Sequence, residues 1–383
     1  MKRNIAVVIF SRANYARIKS VLKELKKNKK INLQIILGGS AVLDRFGNLE
    51  DVLKKDKLQV KERSFFMVEG GSPSTMAKST GLGIIDLSTI FSNLKPHIVL
   101  TVADRFETIA TAITSAYMNI IVAHTQGGEV TGSIDESVRH AITKLAHIHF
   151  PASKQSYNRL IKMGEPRKNV FLVGCPSIDL IDKKKLSIDN NFIKDFKYIG
   201  KKIDFNQKYI LIQYHSVTTE YDLEKKKTEI LLEAIHSLNI QTVWMWPNID
   251  AGTDIVSKAI RSFREKNSSN KLCFVKNLPP EQFLKLVNNT ECFVGNSSAA
   301  IREGSYLGVP AVSVGSRQKP REHGNNVVFV SHTKSEIIKK INIQMKKKKK
   351  IKPSKIFGSG DAGKKIVEIL SNINISVQKK ISY

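Results

Sequence analysis

The segment HTQGGEVTGSIDESVRHAITK, residues 124–144, carries more polar chemistry than a core can use. A largely apolar run, Asn119 to Ala123, leads straight into it. Gln126, the glycines Gly127 and Gly128, and Glu129 follow, and then a helix-like stretch with Asp135, Arg139 and His140. Asp135 and Arg139 stand four residues apart, so they share a helix face and can pair. A carboxylate near a helix start is also favoured by the dipole. Asp104 ends another apolar run, beside Arg105. Two or three carboxylates around one cleft suit proton transfer to and from carbon, with burial and mutual repulsion setting which one holds a proton.

A second constellation favours anions. FVGNSSAAIREGSYLG, residues 293–308, goes from strand through a tight turn into a helix. Ser297 or Ser298 can cap that helix, whose free N–H groups point at whatever anion sits in front. Glu303 is placed to accept hydrogen bonds from a ribose diol. VGSRQKPREHG, residues 314–324, sets Arg317, Lys319 and Arg321 after another strand, and Arg12 follows the first. Arginines at strand ends suit a diphosphate through charge-assisted, often bidentate contacts. Any one of them would pass as a surface charge; several strand ends offering cations to one cleft do not. The G-x-x-x-x-G-K-[ST] loop is absent, and no G-x-G-x-x-G follows the first strand, so no dinucleotide is expected. His124, His140, His147 and His149 invite a metal, but H-E-x-x-H and nearby cysteine ligands are missing. Packing and hydrogen bonding explain them better, and no metal is expected.

The elements that position these groups follow from the apolar pattern. Short solid runs, IAVVIF (5–10), LQIILGG (33–39), HIVLTV (97–102), IIVAHT (120–125), HIHF (147–150) and VFLVG (170–174), alternate with amphipathic stretches such as ARIKSVLKELKK (16–27). A second set, YILIQYH (209–215), TVWMW (242–246), LCFV (272–275), CFVG (292–295), PAVSVG (310–315) and NVVFV (326–330), begins after the polar segment 182–206. Runs without polar alternation fit parallel strands covered on both faces. The chain therefore reads as α/β, with two doubly wound, Rossmann-like domains facing a cleft: residues 1–180, residues 181–357, and a last helix within 358–383 that packs back on the first domain. Most runs end in polar or glycine residues, and in open α/β sheets ligands bind outside the carboxyl ends of the strands.

The chain has 383 residues, a net charge of +28 and 41% hydrophobic residues, as suits a globular protein of two domains. Lysine supplies most of the charge. Runs such as MKKKKKIKPSK (345–355) have no interleaved aromatics. The charge is read as spread over solvated faces, with no nucleic-acid or membrane partner; a nucleic-acid or lipid binder would instead show steep salt dependence. The three cysteines form no C-x-x-C pair. No signal peptide is visible and no run is long enough to span a membrane, so a cytoplasmic location is expected.

Taken together, VADRFETIATA, HTQGGEVTGSIDESVRHAITKLAH, GCPSIDL, WPNIDAG and GNSSAAIRE…GSRQKPREHGNNV resemble the hydrolysing UDP-N-acetylglucosamine 2-epimerases, from Ser11 to about Asn326. The resemblance implies a GT-B-like pair of Rossmann domains in a homodimer or homotetramer, a nucleotide-sugar substrate, and no cofactor. It implies loss of the C2 proton as the nucleotide diphosphate leaves, a glycal intermediate, and addition of water with inversion at C2. Carried over by position, Asp104 and Asp135 match catalytic acids. Arg12, Arg105, His215, Asn248, Ser297, Ser298, Glu303 and Arg317 match nucleotide-site positions, and Arg139 a residue near the sugar. Gln126 departs from the pattern, standing where many members have a catalytic glutamate; Glu129 is a possible substitute. Gln126, GGSAVL (38–43) and TMAKSTGLG (75–83) look closer to a branch acting on 2,4-diacetamido-trideoxy sugars. A non-hydrolysing epimerase and a GT-B glycosyltransferase are the alternatives, and UDP and GDP both fit.

Overall fold

The structure is a computed structural model and describes residues 2–44, 48–247, 250–267, 271–348, 350–380 and 382. The first sheet comprises β1 (Arg3–Ile9), β2 (Ile31–Gly38), β3 (Val60–Ser64), β4 (Ile98–Val102), β5 (Ile121–Thr125) and β6 (Ile148–Phe150). Their order is β3-β2-β1-β4-β5-β6, all parallel. Ile5 to Ile9 of β1 are buried without a break. Alternate side chains serve opposite faces, Ile5, Val7 and Ile9 in one core cluster and Ala6 and Val8 in another. The helix Arg12–Lys27 covers the first face with Ile18, Leu22 and Leu25, and the helix Pro73–Leu94 covers the second with Leu87, Ile90 and Phe91. That double cover is why the run shows no polar alternation.

The second sheet holds β7 (Ile199–Gly200), β8 (Tyr209–Gln213), β9 (Gln241–Met245), β10 (Leu272–Val275), β11 (Cys292–Gly295), β12 (Ala311–Val314) and β13 (Val327–Val330). The order is β13-β12-β11-β8-β9-β10-β7, with only the short edge strand β7 antiparallel. Counted from β8, this repeats the order of the first sheet. Each sheet thus reverses direction of build between its first and fourth strands, at β1/β4 and at β8/β11, where open α/β sheets leave a crevice. The architecture is two Rossmann-like units.

Two details of the sequence pattern fold differently. VFLVG forms no strand: Val170 makes an isolated bridge to His149, and Gly174 turns the chain away at φ +92°. The polar segment 182–206 is not a bare linker. It contains the helix Asn190–Asp195 and β7, and it sends Phe192, Phe196 and Ile203 into the second domain's core, where Phe192, Phe196, Phe205 and Tyr209 stack edge-on and face-on. Four aromatics among many lysines were signal enough for a core contribution.

After β13 the chain returns to the first domain. Gly174 and Gly358 lie back to back where the two crossings meet; a Cβ on either would sit 2.9 Å from the other's Cα. The helix Ala362–Asn372 then inserts Ile366, Val367 and Leu370 into the cluster of β1. Asp179 accepts hydrogen bonds from the Ala362 and Gly363 N–H groups at 3.1 and 2.7 Å, closing the helix start. Among the described residues no helix is long and apolar enough to cross a membrane.

Candidate active site

The carboxyl ends of the two sheets face each other across a cleft of about 850 Å³. From the first domain it is lined by Arg12 after β1, Asp104 and Arg105 after β4, and Asp135 at the start of the helix Asp135–Leu145. From the second it is lined by His215 after β8, Ser297, Ser298 and Glu303 after β11, and Arg317 after β12. Asn248 lies outside the described residues.

Asp104 owes its direction to backbone geometry. The preceding Ala103 has φ +63°, a region that a non-glycine residue enters only at a cost of about 1–2 kcal/mol. His124 offsets that cost: its Nε2 is 2.9 Å from the Ala103 carbonyl. Burial pushes the His124 ring down to about 3, so it is neutral, and facing a carbonyl Nε2 must carry the hydrogen. The Asp104 carboxylate then meets Arg139, in a short hydrogen bond, and Arg17 at 3.8 Å. Burial alone would raise its pKa, but Arg139, Arg17 and Arg321 outweigh burial and hold it well below the usual carboxylate range.

Asp135 is treated oppositely. Burial raises its pKa, Arg317 at 3.1 Å lowers it, and the charges of Asp104 and Asp250 raise it again, leaving a net upward shift. One cleft therefore holds a carboxylate kept ionised and another that keeps a proton more readily. Environments that push two carboxyl groups apart in this way are the working arrangement of an acid–base pair.

The anion-seeking groups differ in how far they are satisfied. Ser11 caps the helix Arg12–Lys27 by accepting from Asn14 N–H at 3.1 Å. Among the described residues Arg12 has no carboxylate partner, and its Nε is buried without a hydrogen bond. Arg105 is gripped by Glu107, Nε at 3.1 Å and Nη2 at 3.2 Å, and also meets Asp250 at 3.0 Å. The Ser298 hydroxyl accepts from Arg17 Nη2 at 2.7 Å and Arg302 Nη1 at 3.0 Å. Both its lone pairs are used, so its own hydrogen is left to donate. His215 is set by Asn296, whose Oδ1 accepts from the His215 N–H at 2.8 Å; burial first and Arg317 second push its ring down to about 3, so it is neutral. Glu303 is buried, with Oε2 unpaired among the described residues.

Three candidates do not line the cleft. Glu129 is buried between the domains, paired with Arg302 at 2.5 Å and Arg321 at 3.3 Å, and those charges hold its pKa down against burial. Arg139 is fully buried and spans the Asp104 carboxylate and the Glu129 carbonyl, the latter at 2.8 Å. Gln126 directly follows β5 at φ +60°; its Nε2 donates to Cys175 Sγ at 3.6 Å and its Oε1 has no hydrogen bond. Arg17 and Asp250, which do line the cleft, escaped the sequence argument. Arg17 reads as the polar face of an amphipathic helix. Asp250 stands inside WPNIDAG, but nothing local marks it as a partner of Arg105 and Arg317. Among the described residues no group of three or more histidine, cysteine or acidic side chains could hold a metal ion.

Comparison with known proteins places the chain in a family. Residues 23–371 match the family described as UDP-N-acetylglucosamine 2-epimerase. The chain is 32% identical to a hydrolysing UDP-N,N'-diacetylbacillosamine 2-epimerase of Legionella pneumophila, covering 99% of this chain and 98% of that one. It is 28% identical to a UDP-N-acetylglucosamine 2-epimerase of Neisseria meningitidis, over 99% and 98% of the two chains. Its fold matches the Methanocaldococcus jannaschii UDP-GlcNAc 2-epimerase, crystallised with UDP-GlcNAc and UDP, at a TM-score of 0.79 and 20% identity, covering 96% of this chain and 99% of that one. The chain belongs to the UDP-N-acetylglucosamine 2-epimerase family.

Proposed function

We propose that the protein is a hydrolysing nucleotide-sugar 2-epimerase, acting on a UDP- or GDP-linked 2-acetamido sugar with a second acetamido group at C4. The observation that carries this is the pairing of Asp104, kept ionised, with Asp135, shifted upward, in a cleft whose walls supply Arg12, Arg105, Arg317 and the Ser298 hydroxyl. In this mechanism the Asp104 carboxylate takes the proton from C2. The C2–H electron pair becomes the second C1=C2 bond as the C1–O bond breaks, and the nucleotide diphosphate leaves with the pair of that C1–O bond. The cleft arginines stabilise the charge growing on the leaving oxygen. Water then adds its hydroxyl to C1, the protonated Asp135 gives its proton to C2 from the opposite face and takes the proton that the water sheds, and Asp104 releases the original C2 proton to solvent. The balance is nucleotide sugar plus water giving free manno-configured sugar plus nucleotide diphosphate. Arg139 holds Asp104 in place, and Glu303 faces the ribose. The diacetamido substrate is supported by the Legionella relative. The enzyme works in the cytoplasm, as a homodimer or homotetramer.

The test is incubation with UDP-N-acetylglucosamine and with UDP- and GDP-linked 2,4-diacetamido-trideoxyglucose in deuterated water, followed by NMR. The expected product is a free 2-epimerised sugar with deuterium at C2. Sugar that stays on its nucleotide would make the enzyme non-hydrolysing. Turnover only with an added acceptor would make it a glycosyltransferase.

A further inference from the structure

Asp250 is a buried carboxylate in the turn that leads into the helix Thr253–Lys266. Its Oδ1 is 3.0 Å from Arg105 Nη1 and its Oδ2 is 3.7 Å from Arg317 Nη2. Arg105 belongs to the first domain and Arg317 to the second, so one carboxylate touches a cation from each wall of the cleft. The backbone, rather than the arginines, fixes where that carboxylate stands. Thr253 N–H donates to the Asp250 carbonyl at 3.0 Å, and Gly252 N–H reaches across the cleft to the Gly71 carbonyl at 3.1 Å. Gly252 has φ +89°, and a Cβ there would stand 3.1 Å from that of Ser216, so any other residue here would strain the turn. Ala251 beside it is fully buried.

Two guanidinium groups drawn to one buried carboxylate repel each other. Each has a second carboxylate, Glu107 for Arg105 and, across the cleft, Asp135 for Arg317, but neither of those acids contacts both cations. Asp250 is the group that draws both toward the same point. A diphosphate presents oxygens on two phosphorus atoms and needs two cations at once. Preorganised cations bind it without first having to be brought together.

We propose that Asp250 is a positioning residue that holds Arg105 and Arg317 at the spacing a nucleotide diphosphate requires; this rests on the cleft taking such a nucleotide. The test is calorimetry with UDP and GDP on the full chain and on Asp250→Asn, with and without Arg317→Ala. Asp250→Asn is expected to weaken nucleotide binding by about tenfold, within the usual range for coupling between groups. In the Arg317→Ala background the same change should cost no more than about twofold, because the charge then has one arginine less to place. A role confined to folding would weaken both backgrounds equally. Asp250→Glu, which keeps the charge, is expected to retain most of the affinity; if the amide variant does not fold, a tenfold or larger loss in Asp250→Glu overturns the proposal instead. Unchanged affinity in Asp250→Asn, or tighter binding because the carboxylate had competed with the phosphates, overturns the proposal. Failure of the unaltered protein to bind either nucleotide sinks the nucleotide reading itself instead.

Discussion

Replacing Glu129 by glutamine removes the carboxylate shared by Arg302 and Arg321 and leaves both guanidiniums buried beside each other. Breaking a buried ion pair by deleting one partner costs about 3–5 kcal/mol, because the surviving charge stays out of water. Two stranded cations argue for about 4 kcal/mol, roughly a thousandfold in the folded-to-unfolded ratio. Urea unfolding of Glu129→Gln against the unaltered chain reads this directly. The difference has a defined pH window. Burial raises the Glu129 carboxyl, but Arg302, Arg321 and Arg139 bring it below its ordinary value. The stability it contributes is therefore full above the unfolded carboxylate pKa and is lost as the pH falls through the lower folded value. The two curves should part at neutral pH and converge in acid. A second assay separates this structural role from proton transfer. If Glu129 moved a proton at C2, the glutamine variant would unfold normally, bind UDP and lose ~10²–10⁴ in turnover. Normal stability together with that loss would refute the clamp, and so would a stability change under about 1 kcal/mol with turnover intact.

Asp104→Asn and Asp135→Asn should each lower turnover by ~10²–10⁴ while UDP still binds by calorimetry, and near-normal turnover in either would remove that residue from the mechanism. Asp135→Asn should also raise stability at neutral pH. The folded pKa of Asp135 is raised, so its contribution is fully present below the unfolded pKa and lost as pH rises through the folded one; in urea titrations the variant's advantage should vanish in acid. Glu224, pushed up to about 7 mainly by burial, accepts from Val217 N–H at 3.0 Å; by the same sign its stabilisation is lost as pH rises through about 7, and Glu224→Gln should flatten that slope. Gln126→Glu would bury a charge beside the Cys175 thiol, itself raised by burial, and should slow turnover or shift its pH optimum upward; a faster enzyme at neutral pH would show that the native chain lacks a base it could use.

What was legible in the sequence was whatever period and strand-end chemistry encode. β1 and β8 read as buried runs because helices cover both faces, and Asp104, Arg12, His215 and Arg317 read as site residues because they directly follow such runs. β3 was not legible, since VKERS stands at a sheet edge with only Ser64 buried and has no apolar run to announce it. In segment 182–206 the core contribution is hidden for a related reason: the lysines face water while phenylalanines face the core, and average polarity conceals that division. Charge partnership was the least legible feature. Asp250 and Arg105 stand 145 positions apart, and Glu129 and Arg302 are separated by 173, so no local pattern could join them. These cross-domain pairs decide which carboxylates are free for chemistry. Glu129, Asp104 and Asp135 look equivalent as letters in one motif set, yet the fold commits the first to a clamp, pairs the second with Arg139, and leaves the third with a raised pKa at the mouth of a helix. The clamp on Glu129 and the pairing of Asp135 with Arg317 thus need both domains, whereas Asp104 is held chiefly by Arg139 and Arg17 of its own.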